Sequence, residues 1–466
     1  SEALRMAVRA MAGALAELEE LLGPRLSTAP SVLDLHARDE SPFPPRRPEA
    51  VALPRTTEEV AAVVGICRRH RVPVVPFGAG SSLEGHVLPA EGGVSLDLST
   101  MDSILEVHDA DLDCRIEAGV RRVQLNEHLG SRGLFFAVDP GADATLGGMA
   151  ATAASGTMAV RYGTMRQNVL SLTVVLADGT VVETGTRARK SSAGYDLTRL
   201  FLGSEGTLGV ITELVLRLHG IPERIASARV SFPGVPEAVD TAVAIVQSGI
   251  PIARCELLDA LSIEAVNAFA GLGEPVAPTL FLEFHGSDAA VAEQVESVAE
   301  LADANGGSGF RWSTRAEERS ALWKARHEAY FAALALRPGS RAVTTDVCVP
   351  VSELAACIRY AVEESAALPV PAPIVGHVAD GNFHCAVLVD PGSDDELGAA
   401  KSFALRLAEH AIRLGGTCTG EHGVGMGKRE LLLAQYGPEG VALMRTLKRA
   451  LDPDDLLNPG KILPPA

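Results

Sequence analysis

The segment Gly376-His377-Val378-Ala379-Asp380-Gly381-Asn382-Phe383-His384 places two histidines around an Asp-Gly dipeptide. Asp-Gly is a strong two-residue hairpin signal, and counting outward from it pairs Ala379 with Asn382, Val378 with Phe383 and His377 with His384. The spacing therefore predicts two imidazoles directly opposite on one sheet face, with Cβ atoms roughly 4.5 to 5.5 Å apart, close enough to share one metal ion. A longer loop would change this register, and a stacked pair of structural histidines is the plain alternative. Gly420-Glu421-His422-Gly423 offers a carboxylate beside a further histidine. Two His and one Glu with an open position make a catalytic rather than a closed structural set. His327-Glu328 is not a zinc-protease motif, because Phe331 stands where its second histidine would fall.

Three glycine clusters could hold a second group. The first, Pro76-Phe77-Gly78-Ala79-Gly80-Ser81-Ser82-Leu83-Glu84-Gly85, leaves a strand-like run at once. Its glycines let successive backbone N–H groups face a phosphate, so a diphosphate ligand is plausible. Leu83 breaks the dinucleotide GxGxxG pattern, and His86 stands where the P-loop needs lysine. The second cluster is Pro140-Gly141 and Thr145-Leu146-Gly147-Gly148-Met149-Ala150-Ala151-Thr152, followed by Ser155-Gly156 and Arg161-Tyr162-Gly163. Such small residues let backbone approach a flat, extended ligand, or else form a tight inter-sheet seam. The third is Gly203-Ser204-Glu205-Gly206-Thr207-Leu208-Gly209-Val210-Ile211-Thr212.

The elements that must carry these residues follow from periodicity. Leu4, Val8, Met11, Leu15, Leu18 and Leu22 share one helical face, so the N-terminus reads as an amphipathic helix rather than a targeting sequence. Pro-rich residues 38–54 end that arm. A helix over 58–69 leads into a buried strand over 72–77, and strands recur at 94–98, 115–120, 169–176, 180–184 and 210–218, with Asp178-Gly179 as a hairpin turn. Residues 144–160 read as a packed loop. From about residue 223 strands and helices alternate: strands 227–232, 253–258, 279–284 and 309–313 with helices 235–248, 261–270 and 288–304, which suggests a separate α+β layer. Helices over 317–336, 352–367 and 395–414 extend it, and the chain is helical again up to Asp452-Pro453.

The 466 residues suffice for two to four domains. A hydrophobic fraction of 47% and a charged fraction of 21% exclude global disorder. A net charge of −18 is opposite to what tracks phosphates, so no nucleic acid is expected as partner. Seven cysteines without a CxxC pair point to a reducing compartment. No run approaches the roughly 18 apolar residues of a membrane span. The expected location is cytoplasmic, with peripheral membrane association left open.

The three glycine clusters, in this order and spacing, resemble the flavin-binding domain of the vanillyl-alcohol oxidase and p-cresol methylhydroxylase superfamily. The similarity is greatest to its FAD-dependent D-lactate dehydrogenase (cytochrome-type) and D-2-hydroxyacid dehydrogenase branch, and it runs from Pro54 to Asn458-Pro459-Gly460-Lys461. It implies an α+β fold: a two-part FAD-binding domain and an α+β, ferredoxin-like cap domain with an antiparallel sheet. The corresponding division is a helical arm over 1–48, an FAD-binding domain over 49–222, a substrate and metal cap over 223–424, and a helical segment over 425–466 that returns to the FAD domain. The resemblance implies non-covalent FAD held by Pro76, Gly78, Ala79, Gly80, Ser81, Ser82, Gly85, Pro140, Gly141, Thr145, Gly148, Thr152, Ser155, Gly156, Glu205, Gly209, Val210, Ile211 and Asn458. A histidine near the first loop carries the flavin covalently in some superfamily members, and His86 is the residue to suspect, although this branch is generally non-covalent. His377, His384 and Glu421 would bind a divalent metal, Zn²⁺ or Mn²⁺, with His422 as base, Arg326 on the substrate carboxylate and Asn382 assisting as a donor.

The implied reaction oxidises a D-2-hydroxy acid to a 2-oxo acid by hydride transfer to flavin N5, after His422 removes the hydroxyl proton. Relatives acting on D-2-hydroxyglutarate carry a lysine where Thr344 stands here, which favours D-lactate or a larger monocarboxylate, with Arg341 as a replacement cation. A quinone, a cytochrome or an electron-transfer flavoprotein would accept the electrons, and a homodimer is left open. Rival readings are a glycolate oxidase flavin subunit, a D-2-hydroxyglutarate dehydrogenase, a non-catalytic flavin-binding subunit and a metal-dependent hydrolase.

Overall fold

A computed structural model describes residues 2–465, with side chains from residue 6 onward. The chain forms two compact units, the first made of residues 1–155, 164–221 and 421–466, the second of 156–163 and 222–420.

In the first unit the helix Glu2–Leu22 buries Ala14, Leu18 and Leu22, while Val8 is exposed. The side chain of Leu4 lies outside the described residues. The buried stripe thus begins later than the periodicity suggests, at the level where Gly13 and Glu17 meet His70 at the end of the helix Thr57–Arg69. Thr56 caps that second helix by accepting the N–H of Glu59, acids fill its first turn and arginines its last, and Val60, Val63, Val64 and Cys67 face inward. It leads into strand Val74–Phe77, which pairs in parallel with Val94–Asp97; Ala50–Ala52 follows in parallel, and Leu26–Ser27 closes the edge antiparallel. A second, antiparallel sheet runs in the order Ile104–His108, Asp113–Glu117, Val210–Arg217, Val169–Val175, Val181–Glu183. The segment expected as a loop contains the short helix Leu146–Ala151, and at its end a second one, Ala159–Tyr162, begins in the piece that belongs to the second unit. The first is capped by Thr145 and packs so closely that a Cβ at Gly147 would come 2.6 Å from Ala118.

The second unit is built on an eight-stranded sheet in which every neighbouring pair is antiparallel. The order is Ser308–Ser313, Arg224–Ser231, Thr279–Gly286, Arg254–Leu258, Ile374–His377, Asn382–Val389, Arg341–Thr344, with Val347–Cys348 also on Asn382–Val389. Leu258, Ile263, Val266, Phe281, Trp323 and Ala329 form one core cluster beneath its helices. The single helix expected over 317–336 is broken at Glu328 into Ala316–His327 and Ala329–Ala335, where His327 Nδ1 bonds the Trp323 carbonyl. Opposed residues of an antiparallel pair share a face. Ser227, Glu283, Arg254, Glu256, His377, Asn382 and Cys348 therefore form a polar row across five neighbouring strands and Val347–Cys348.

Candidate functional site

The two histidines lie on neighbouring strands, but not in the register the Asp-Gly turn suggests. The connection is four residues long, a 3-10 turn over Val378–Asp380 followed by Gly381 at φ +80°. Only glycine fits there, since a Cβ would stand 2.0 Å from the Val349 carbonyl. His377 consequently pairs with Asn382, and His384 with Val375. The slip is two residues, an even number, so both imidazoles still share one face. They sit diagonally, ring centroids 5.6 Å apart and planes at 84°.

Each ring is fixed through Nδ1. His377 Nδ1 lies 2.7 Å from Glu256 Oε1, and His384 Nδ1 lies 3.0 Å from the Thr345 carbonyl oxygen and 3.6 Å from Asp346 Oδ1. Ligating histidines are held this way, with Nε2 toward the metal. Glu256 Oε2 accepts from Arg326 Nε at 2.9 Å and from Nη2 at 2.6 Å. Burial alone would raise the Glu256 carboxyl, but His377 and Arg326 outweigh it and hold the group below its ordinary range. Arg326, expected on the substrate carboxylate, thus commits two donors to a protein carboxylate, and Nη1 is the nitrogen outside that fork.

Asn382 Nδ2 donates to Asp346 Oδ1 at 2.9 Å and to the Val347 carbonyl at 2.8 Å. Both amide hydrogens are therefore used, and what Asn382 presents is its buried Oδ1, which has no hydrogen-bond partner among the described residues. Asp346 Oδ2 accepts from Thr419 Oγ1 at 2.7 Å. Gly420 follows, and a Cβ on it would come 2.4 Å from Asn382 Nδ2. Asp346 and His384 each offer a metal-ligating atom. Imidazole nitrogens, a buried carboxylate and an orphaned amide oxygen form a donor set that fits a divalent cation. In the first unit Glu421 Oε1 and His422 Nε2 lie 4.0 Å apart.

Sequence reasoning missed Glu256 and the ligating capacity of Asp346. The signal for Glu256 was an acid inside the apolar strand Arg254–Leu258, and a buried carboxylate needs cationic partners.

The three glycine clusters meet within the first unit. A Cβ at Gly78 would be 2.3 Å from Thr145 Oγ1, and one at Gly206 would be 2.9 Å from Pro76 Cγ. No protein acceptor takes the backbone N–H of Gly78, Ala79, Gly80, Ser81 or Ser82 among the described residues. Five consecutive backbone donors without a protein acceptor, with Gly80 at φ +66°, are thus available to an anionic group such as a diphosphate. A cavity of about 360 Å³ adjoins them, lined in part by Arg38, Phe77, Ala79 and Gly80. Ser82 Oγ donates to Asp39 Oδ2 at 2.7 Å, and Gly85 takes φ +78°.

Other expected cofactor residues turn inward. Thr145 Oγ1 accepts the N–H of Gly148, and Thr152 Oγ1 donates to the Gly148 carbonyl. Gly209 abuts Val174, and Val210 and Ile211 are buried strand residues opposite Val175 and Val174. Pro140 is half-buried, and Gly141 is exposed with no atom within 4 Å of a Cβ. Ser155 ends a piece of the first unit, whereas Gly156 belongs to the second. Asn458 spends its amide on the carbonyls of His86 and Glu205, at 3.0 and 2.7 Å. His86 and Glu205 face one another, buried, 3.3 Å apart.

Comparison with known proteins agrees with this anatomy. Residues 48–185 match the family described as FAD binding domain, and residues 221–462 match FAD linked oxidases, C-terminal domain. The chain is similar to a probable D-lactate dehydrogenase, mitochondrial, of Danio rerio, with 52% identity over 94% of this chain and 89% of the relative. It is 44% identical to D-lactate dehydrogenase [cytochrome], mitochondrial, of Arabidopsis thaliana, over 97% of this chain and 80% of that one. In fold it resembles 4-ethylphenol oxidase from Gulosibacter chungangensis, with a TM-score of 0.78 at 18% identity over 98% of this chain and 97% of the other. The expectation of a cytoplasmic protein is corrected by these findings, since the fish, plant and two yeast relatives are all named as mitochondrial. No described helix is long and apolar enough to cross a membrane. With both halves matched and a relative more than half identical over nearly the whole chain, the chain is an FAD-linked oxidoreductase that belongs to the D-lactate dehydrogenase and D-2-hydroxyacid dehydrogenase family.

Proposed function

We propose that this protein oxidises D-2-hydroxy acids, D-lactate or a larger monocarboxylate, to 2-oxo acids. The observation that carries the reading is the braced pair of imidazoles, His377 on Glu256 and His384 on the Thr345 carbonyl, beside the orphaned Asn382 Oδ1. The names of the fish and plant relatives support the substrate class. His377, His384 and Glu421 would hold Zn²⁺ or Mn²⁺, with Asp346 as a further candidate ligand, and the first loop would hold FAD without a covalent bond. A divalent ion supplies Lewis acidity toward the 2-hydroxyl, and FAD supplies the two-electron acceptor.

The remaining work falls to side chains. Arg326 directs Nη1 to the substrate carboxylate while Glu256 fixes the plane of its guanidinium, so the 2-carbon is presented in one orientation. His422 takes the proton from the substrate's hydroxyl oxygen. A base must be neutral to do so, and an ordinary imidazole is neutral above about pH 6.5. The electron acceptor is proposed to be a cytochrome, with a quinone or an electron-transfer flavoprotein as the competing classes.

Anaerobic mixing of the flavin-loaded, metal-analysed protein with D- and L-lactate tests this. Bleaching of the oxidised flavin band by the D form alone, lost in His422→Ala and after chelation, is the expected result. A yellow, metal-loaded protein that no 2-hydroxy acid bleaches, glycolate and 2-hydroxyglutarate included, would refute the proposal.

A further inference from the structure

The stretch Glu421-His422-Gly423-Val424-Gly425 holds the proposed ligand and base, and its far end is tied to a single buried carboxylate. Glu205 Oε1 accepts the N–H of Val424 at 2.7 Å, and Oε2 accepts that of Gly425 at 2.8 Å. Oε1 also lies 3.3 Å from His86 Nε2. Burial alone would raise the Glu205 carboxyl, but His86 and the two amides hold it below its ordinary range; His86 is raised by Glu205 against its own burial.

The fit leaves no slack. Gly423 takes φ +82°, and a Cβ there would stand 2.7 Å from both Glu205 Oε1 and His86 Nε2. Gly425 takes φ +49°, and its Cβ would come 2.2 Å from the Glu84 carbonyl. Glu205 itself adopts φ +54°, a conformation L residues rarely take. Its backbone holds it there, the N–H bonding the Ala151 carbonyl at 2.8 Å and the C=O accepting from Asn458 Nδ2 at 2.7 Å. Both carboxylate oxygens of a residue that the family resemblance assigns to the cofactor are thus spent on the neighbouring loop and on His86.

We propose that Glu205, backed by His86, is a positioning residue of the reaction: it fixes where residues 421–425 lie in the flavin-binding unit and thereby aims His422 and Glu421. The inference rests on the roles given to those two residues above. Glutamine at position 205 would keep the shape but offer one acceptor and one donor to two N–H groups, so one buried donor would face another.

The full-length, flavin-loaded protein is compared with Glu205→Gln and Glu205→Asp. Flavin absorbance, amide hydrogen exchange over residues 420–430, and kcat and KM for D-lactate are measured. The expected result for Glu205→Gln is retained flavin, lost protection at 424–425, and kcat lower by about 10- to 100-fold with KM within about threefold, partly restored by Glu205→Asp. Unchanged exchange with unchanged kcat, or loss of flavin with exchange intact, would overturn it. If Glu205→Gln does not fold, Gly423→Ala should give the same exchange signature while Glu205 remains, and native exchange there would overturn it equally. Wild-type turnover in His422→Ala would refute the base assignment instead, and the exchange signature reads the anchor independently of that.

Discussion

Glu256 is the residue on which His377 and Arg326 both depend, and it touches neither substrate nor metal in the proposed arrangement. Glu256→Gln should weaken metal binding by about 10- to 100-fold, as removing the outer partner of a ligating histidine does. Chelator competition measures this, and an unchanged affinity would remove Glu256 from the metal's support. A second buried acid lies along the same row. Tyr162 Oη is 2.7 Å from His285 Nδ1, His285 Nε2 is 2.7 Å from Glu283 Oε1, and Arg254 Nη1 reaches Glu283 Oε2 at 3.3 Å. Burial raises the Glu283 carboxyl, but the bond to His285 and the charge of Arg254 outweigh this and lower it below 4.5. A carboxyl depressed in the folded state contributes stability that is full above its unfolded value and is lost as pH falls through the folded one. Glu283→Gln should therefore lower the melting temperature at pH 7, with the gap to wild type shrinking below about pH 4.5, as thermal melts across pH would show. These acids were hard to read from sequence because their partners are remote: His377 lies 121 positions from Glu256. The histidines were legible because they sit seven residues apart around a turn.

At the scale of elements, the hairpin shows what a turn rule can and cannot deliver. Asp380-Gly381 does mark the reversal, and Gly381 does take positive φ, but the 3-10 turn over Val378–Asp380 adds two residues to the loop. Side chains alternate with period two, so the shared face survived while the pairing did not. The strands Val74–Phe77 and Val94–Asp97 and the alternation beyond residue 223 were legible because apolar runs end at Gly and Pro. The break at Glu328 was not, since Trp323, Ala325, Ala329 and Ala332 are all buried on the two sides of it and leave the apolar pattern uninterrupted. The first glycine loop yields a direct test. Gly78→Ala would drive a Cβ into Thr145 Oγ1 and should purify colourless, whereas Gly130→Ala, with no atom within 4 Å, should retain its flavin absorbance. A yellow Gly78→Ala protein would mean that the loop yields without losing the cofactor.

For the whole molecule, a net charge of −18 sets the terms of electron delivery. Should the proposed cytochrome acceptor be basic, encounter would be steered by long-range attraction, which salt screens over about 10 Å at 0.1 M. The second-order rate of reduction of a basic cytochrome c should fall several-fold between about 20 and 200 mM salt. Stopped-flow measurement decides it, and a flat profile would place acceptor choice in short-range contacts. Family membership was legible across the chain because separated motifs had to agree. Location was not, since neither a reducing cysteine pattern nor the lack of an apolar span distinguishes one reducing compartment from another. One further consequence lies in how the first unit closes. Val74 donates its N–H to the Leu456 carbonyl and accepts from Asn458, and Lys461 Nζ bonds the carbonyl of Leu88, 373 positions away. A chain emerging from the ribosome makes its strands at 74–77 and 94–97 long before these partners exist, while the whole of residues 222–420 is being translated. The edge beside the first glycine loop stays unsealed until residue 461 clears the exit tunnel, so this part of the first unit gains its last backbone partners only after all of residues 222–420 have been made.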